Sequence, residues 1–150
     1  MFILDQSDSY TWPVSIELPV NGAKKQFSFD AEFRRLPEQE VTELRQRYFK
    51  LVADLRRQLQ TLEGYASEED FTEAGTAADQ GYEDLCDELL CGWSKVSDSA
   101  GEVVEFSEAS KRQMYRVQGA CVAIVKAWFD SLGQPSEKSA AKAGGFRRGN

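Results

Sequence analysis

The sequence predicts an α+β fold, mostly helical, in which an N-terminal β-hairpin packs on a bundle of about four helices. Residues 10–33 alternate between apolar and polar side chains around an Asn21-Gly22 turn, which is typical of a two-stranded hairpin. Later stretches place apolar residues at spacings of three and four, which is typical of helices that bury one face. At 150 residues, the chain is long enough for one such domain.

The hairpin is the most sharply predicted element. A two-residue turn at Asn21-Gly22 fixes the register of the two strands, and the alternation of side chains then puts one apolar face on the core. The predicted facing pairs on that side are Trp12–Ala31, Val14–Phe29 and Ile16–Phe27.

Two prolines predict which edge of the hairpin is closed to further pairing. In the predicted register, Pro13 and Pro19 fall where a backbone N–H would point away from the second strand, so the first strand is a protected edge. The second strand carries no proline on its outer edge and is free to accept a third strand. The run Val103–Phe106 is a candidate for a short third strand, and a lone hairpin needs such support.

A long helix is predicted between Pro37 and Gly64. Proline in the first turn, followed by Glu38 and Glu40, suits a helix start, and glycine suits a helix end. Its apolar stripe is too wide for a coiled-coil seam, which favours a bundle helix. The basic residues of this helix suggest nucleic acid, but the net charge of −7 favours a solvated face paired with acids.

Residues 63–88 contain ten carboxylates and no lysine or arginine. The first part, Gly64 to Gly81, is rich in small residues and is predicted to be a mobile acidic linker. The second part is predicted to start a helix with an apolar face. The absence of EF-hand spacing favours a solvated acidic surface over a metal site. The predicted inward residues of this helix are Tyr82, Leu85, Leu89 and Trp93.

The last ordered part is predicted to contain two helices. A loop follows Lys95, Ser107 caps a helix that runs through Tyr115, and a break near Gln118-Gly119 precedes the core helix. Gly133 suits its C-terminal end. The predicted domain thus spans residues 1–133, and the small, basic residues 134–150 are predicted to form a disordered tail. The apolar face of the core helix comprises Cys121, Val122, Ile124, Val125, Trp128, Phe129 and Leu132.

The chain lacks the residues that common enzymes and metal sites use. It has no histidine, no glycine-rich phosphate loop and no activated nucleophile pattern, and its three cysteines follow no disulfide or zinc spacing. We expect inert thiols in a reducing cytoplasm, no signal peptide, no cofactor, no metal and no catalytic residue. An enzyme that uses the carboxylates Asp84, Asp87 and Glu88 is the alternative from another functional class.

Three stretches carry a family resemblance by their order and spacing. The first is Tyr10-Thr-Trp-Pro-Val with the hairpin that ends in Ala31-Glu-Phe-Arg-Arg-Leu-Pro37. The second is Leu89-Leu90-Cys-Gly-Trp93, followed by Ser97-Asp98, Gly101 and Phe106-Ser-Glu108. The third is Ala127-Trp128-Phe129 with Leu132. Over most of residues 10–132 the chain resembles the tail assembly chaperones of long-tailed bacteriophages and prophages. Residues 64–81 have no counterpart in that pattern.

The resemblance implies a late protein of phage infection that works in the cytoplasm of the bacterial host. It would coat the tape measure protein, keep it soluble while tail-tube subunits assemble around it, and be absent from the mature virion. The family often makes a longer product by ribosomal frameshifting, and Gly144-Gly145-Phe146 can be encoded by a slippery sequence. A structural tail or connector subunit that is retained in the virion is the alternative.

The apolar face of the hairpin and its strand edge are the predicted contact surface for an extended partner. Burial of the same residues in the core of the domain is the other interpretation, and the sequence leaves both open. The predicted partners are the tape measure protein, the tail-tube protein, the longer frameshifted form and further copies of the chain itself. The predicted partner-binding residues are Trp12, Phe27, Phe29, Phe33 and Trp93.

Overall fold

The computed structural model describes the backbone of residues 1–62 and 68–133 and the side chains of residues 1–60 and 75–133. These residues form a three-stranded antiparallel sheet and four helices, which confirms the predicted α+β fold. In chain order the elements are β1 (Ser9–Val20), β2 (Ala23–Arg34), α1 (Glu38–Leu62), α2 (Glu68–Leu89), β3 (Leu90–Ser94), α3 (Glu108–Tyr115) and α4 (Ala120–Ser131).

The hairpin has the register that the sequence predicted. Ile16 pairs with Phe27 and Trp12 pairs with Ala31, as expected. Asn21 and the glycine after it have φ angles of 47° and 81°, which a tight turn between twisted strands requires. The sheet order is β1-β2-β3, so the second strand does accept a third one at its outer edge.

The third strand is not the predicted one. Strand β3, which follows directly after α2, pairs with β2, and the predicted candidate Val103–Phe106 lies outside the sheet. Trp93 therefore lies in a strand, and the prediction that it lies in a helix is wrong. The two segments differ in how much apolar surface they bury. Leu90 is 1% exposed in the core whereas Val103 is 79% exposed, so pairing of β3 with β2 removes more apolar surface from water.

Most of the predicted linker is helical. Helix α2 begins at Glu68 and includes residues 68–81, while residues 63–67 lie outside the described residues, as does the predicted tail 134–150. Ala78 is buried, and alanine favours a helix. Gly81 allows close contact between helices, since a Cβ atom at this position would lie 2.6 Å from Cδ1 of Leu51 on α1. Gly81 is thus a packing residue inside α2 and not the end of a linker.

The predicted core helix does form the centre of the domain. Helix α4 packs against β1 and α2, and Trp128, Phe129 and Ile124 are at most 2% exposed. Its neighbours in the core come from the sheet and the other helices. They include Val14, Phe29, Ala31, Phe33, Val41, Leu44, Leu85, Cys86, Leu89 and Leu90.

The predicted ends of the last two helices are confirmed. Ser107 caps α3, because its Oγ accepts a hydrogen bond from Ser110 N at 3.1 Å and Ser110 Oγ accepts one from Ser107 N at 2.8 Å. Gly119, with a φ of 77°, separates helix α3 from helix α4. Gly133, with a φ of 71°, follows the end of α4.

Candidate interaction surface

The five residues predicted to bind a partner differ in their depth below the surface. Phe33 is fully buried and Phe29 is 5% exposed, so in this fold both belong to the core. Trp93 is partly buried. Trp12 and Phe27 are 36% and 40% exposed. Of the set, these two therefore present the most apolar surface to a partner.

Trp12 and Phe27 lie on the core face of the hairpin but keep part of their surface exposed to solvent. Both aromatic side chains point to the same face as Val14 and Phe29, since alternate residues share a face. They extend the apolar core face to the surface of the domain.

The turn end of the hairpin carries an apolar patch, which we call the hairpin tip. It consists of Leu18, Val20 and Phe27, of which Val20 and Phe27 are 40% exposed and Leu18 is partly buried. Lys25 lies on the same face, with Nζ 5.3 Å from the centre of the Phe27 ring. The hairpin tip therefore combines an apolar surface with a positive charge.

Trp93 supports the loop after β3. Its ring makes edge contacts with Phe29 and Phe106 at centroid distances of 6.2 and 5.0 Å. Its indole N–H donates a hydrogen bond to the carbonyl oxygen of Val104 at 2.9 Å. These contacts hold residues 95–106 against the sheet, which is sufficient reason for a tryptophan at this position.

The outer edge of β1 offers little room for strand addition. Because Val20 and Ala23 flank a two-residue turn, the outward-facing N–H groups of β1 belong to alternate residues, and Pro13 and Pro19 occupy two of these positions. Between the prolines only Ser15 and Glu17 have outward N–H groups. A ladder of this length is short for β-augmentation, so apolar side chains are the stronger candidates for contacts.

A charged cluster joins the end of α2 to α3. Asp87 Oδ1 accepts hydrogen bonds from Tyr115 Oη at 2.9 Å and Lys111 Nζ at 3.0 Å, and its Oδ2 accepts one from Arg112 Nη2 at 3.0 Å. Glu108 pairs with the same two cations at 2.9 and 3.1 Å. We call these five residues the Asp87 cluster.

The Asp87 cluster stays in one charge state around neutral pH. Burial raises the pKa of the Asp87 carboxyl, but hydrogen bonds from Lys111 and Tyr115 outweigh burial and hold this pKa below its usual 3.8. Burial opposes the charge on Lys111, yet its two carboxylate partners raise the pKa above 10.5. Burial and Asp87 also raise the pKa of Tyr115. The cluster is thus suited to holding α2 and α3 together, and poorly suited to proton transfer near neutral pH.

We predict that protonation of Asp87 lowers the free energy of unfolding below about pH 4. Between about pH 5 and 9, Asp87 should cause no change in this free energy with pH. A carboxyl with a lowered pKa in the folded state adds stability above its unfolded pKa, and this stability is lost as pH falls through the folded pKa. Urea unfolding of wild-type protein and Asp87→Asn at several pH values measures this. The difference in unfolding free energy between the two should shrink below about pH 4. A constant difference down to pH 2 would contradict the assignment.

Each of the three carboxylates of the candidate enzyme site binds a different partner. Asp84 accepts a hydrogen bond from Gln80 at 2.9 Å, and Glu88 forms a salt bridge with Arg47. Asp87 is held by the cations of its own cluster. Among residues 1–60 and 75–133, whose side chains the structure describes, no group of three or more His, Cys, Asp or Glu side chains is arranged to hold a metal.

The three cysteines are free thiols, as predicted. Cys86 and Cys121 are buried, and Cys86 Sγ donates a hydrogen bond to the carbonyl oxygen of Cys121 at 3.5 Å. The contact with Cys121 and burial both raise the pKa of the Cys86 thiol. Burial also raises the pKa of the Cys91 thiol. Thiols with raised pKa values are poor nucleophiles at neutral pH.

Two features were missed by the sequence reasoning. Residues 1–4 expose four large apolar side chains in succession, and this run is visible in the sequence as Met-Phe-Ile-Leu. The Asp87 cluster is only partly visible, because Glu108, Lys111 and Arg112 are spaced for pairing on one helix. Their link to Asp87 depends on how α2 and α3 pack and has no local signal.

Comparisons with known proteins do not assign a family or a function to this chain. No protein-family model, curated protein or solved structure matches this chain. In the part of the chain that the structure describes, no helix has both the length and the apolar character to cross a membrane.

Proposed function

We propose that this protein is a tail assembly chaperone of a long-tailed bacteriophage or prophage that binds the tape measure protein. Three stretches between residues 10 and 132 resemble this family in their order and spacing, and the resemblance supports the assignment. The structural observation that supports it best is the apolar surface that the fold leaves uncovered on the hairpin, at Trp12, Val20 and Phe27. Contiguous exposed apolar surface is typical of an interaction site, and Val20 and Phe27 share such a patch at the hairpin tip.

This surface fits a long, helical client protein. Aromatic side chains that are partly exposed contribute strongly to contacts when a partner covers them, and an amphipathic helix offers the matching apolar stripe. The net charge of −7 adds a second property, because a coat of acidic molecules repels neighbouring complexes and opposes aggregation. The chaperone would thus cover the apolar stripe of its client and keep the client soluble.

The rest of the proposal follows the family. The protein acts in the cytoplasm of the bacterial host, leaves the tape measure protein when tail-tube subunits assemble, and is absent from the mature virion. A longer product made by frameshifting at Gly144-Gly145-Phe146 would supply the link to the tail-tube protein. These three residues lie outside the described residues.

We predict that Trp12→Asp reduces the recovery of tape measure protein about tenfold or more, because a charge replaces a partly exposed aromatic contact. The measurement is co-expression with the large helical protein encoded next to this gene, followed by a pull-down on a tag. Wild-type protein should yield a soluble complex with many copies per client. Thr11→Asp is the matched control, since Thr11 is exposed on the opposite face of the same strand.

Two results would contradict the chaperone assignment. One is a client that remains insoluble and is not recovered even with the longer, frameshifted product present. The other is the detection of this chain by mass spectrometry as a stoichiometric component of purified virions, which would identify a structural tail or connector subunit.

A further inference from the structure

A second exposed apolar surface lies at the opposite end of the hairpin from the hairpin tip. Residues 1–4, which we call the apolar arm, expose all four of their large side chains. Gln6 N donates a hydrogen bond to Leu4 O at 3.2 Å, which folds the arm only locally. The arm joins the sheet at Asp8, whose carbonyl oxygen accepts a hydrogen bond from Arg35 N at 2.8 Å. Its apolar residues therefore remain available for a contact that removes them from water.

Ile3 and Leu4 of the apolar arm lie too close to the start of β1 to pack readily on the hairpin tip of their own molecule. Phe27 lies opposite Ile16, which is eight residues from Asp8 along β1, a distance of about 26 Å. Ile3 is five residues from Asp8 and reaches at most about 18 Å from it. Contact of Ile3 and Leu4 with Phe27 within one molecule would require a fully extended arm, whereas the hydrogen bond between Gln6 and Leu4 shortens it. We therefore place this contact between two molecules.

The two surfaces match in charge as well as in polarity. Asp5 follows the apolar arm directly, and Lys25 lies beside Phe27 on the face of the hairpin tip. When the apolar side chains of the arm cover Phe27, the carboxylate and the ammonium group fall at the rim of the same contact. Opposite charges at a rim favour the correct partner and register.

We propose that the apolar arm of one molecule binds the hairpin tip of a second copy, with Ile3 and Leu4 against Phe27 and with Asp5 beside Lys25. The contact area is small, so the association is weak and reversible. This inference does not depend on the tape measure proposal, because it concerns the purified chain alone. The two proposals share Phe27 but not Trp12, and Trp12→Asp should leave self-association unchanged.

Sedimentation velocity of the full chain, from micromolar to millimolar concentration, tests the proposal. The wild-type sedimentation coefficient should rise with concentration, and Ile3→Asp or Phe27→Asp should each raise the dissociation constant about tenfold or more. Thr11→Asp, on the opposite face of β1, is the control and should match wild type. Circular dichroism confirms that each variant is folded. A wild-type chain that remains monomeric up to millimolar concentration would overturn the proposal.

Charge reversal separates this contact from any other mode of association. Asp5→Lys and Lys25→Asp should each weaken self-association, because each creates a pair of like charges between copies. An equal mixture of the two variants places unlike charges at both contacts and should associate more tightly than either variant alone, approaching wild type. A mixture that associates no better than its components would overturn the assignment of arm to tip.

Discussion

Phe29→Asp should unfold the domain, whereas Phe27→Asp should leave it folded, although the two residues lie on the same face of the same strand. Phe29 is 5% exposed and contacts Trp93 edge-on. Removing a buried phenylalanine costs about 3–5 kcal/mol, and a buried carboxylate adds the cost of desolvation. This is comparable with the whole stability of a small domain, about 5–15 kcal/mol. Phe27 is 40% exposed beside Lys25, so its replacement should cost about 1 kcal/mol or less.

Circular dichroism and urea unfolding of the two variants measure this contrast. Ser28→Asp is the control for adding a carboxylate to this part of β2, since Ser28 is exposed on the other face. A cooperative, wild-type-like transition for Phe29→Asp would show that the packing beneath the sheet is wrongly assigned. The pair also separates contact from core, because a variant that folds normally and loses its partner has lost a contact.

The sequence was sufficient to predict those features that depend on residues close together along the chain. The register of the hairpin follows from the turn at Asn21-Gly22 and from alternation along both strands, and both signals are local. The end of α4 at Gly133 and the capping of α3 by Ser107 are also local. The edge role of β1 followed from Pro13 and Pro19 for the same reason.

The third strand could not be predicted in this way. Leu90–Ser94 and Val103–Phe106 are both short apolar runs, and either has the composition of an edge strand. The choice depends on long-range packing, since β3 brings Leu90 into the core and Trp93 against Phe29. Gly81 posed a similar ambiguity, because glycine is common in linkers and also lets two helices approach closely.

Only part of the candidate surface could be predicted from the sequence, because exposure also depends on long-range packing. The sequence identifies one apolar face on the hairpin, but which members of that face are exposed depends on how the helices pack on the sheet. Phe29 and Phe27 have equivalent sequence signals, and the tertiary structure alone separates them. The apolar arm was visible as a run of four residues, whereas its relation to the hairpin tip required the length of β1.

Asp87→Ala should lower the unfolding free energy by about 2–3 kcal/mol, a large effect for a side chain that is 30% exposed. The change leaves Lys111, whose side chain is only 10% exposed, without one of its two carboxylates. It also removes the acceptor for the hydroxyl group of Tyr115. Urea unfolding at pH 7 measures the loss. Arg57→Ala is the control, because it removes an exposed ion pair with Asp54 and should cost about 0.5 kcal/mol or less.

A double-mutant cycle then distinguishes pairing from simple loss of packing. Lys111→Met keeps most of the side-chain volume and removes the charge that Asp87 neutralises, so Asp87→Asn should cost less in the Lys111→Met background than in wild type. We expect a coupling free energy of about 1 kcal/mol or more between the two sites. Strictly additive effects would mean that Asp87 stabilises the junction of α2 and α3 through Arg112 and Tyr115 alone.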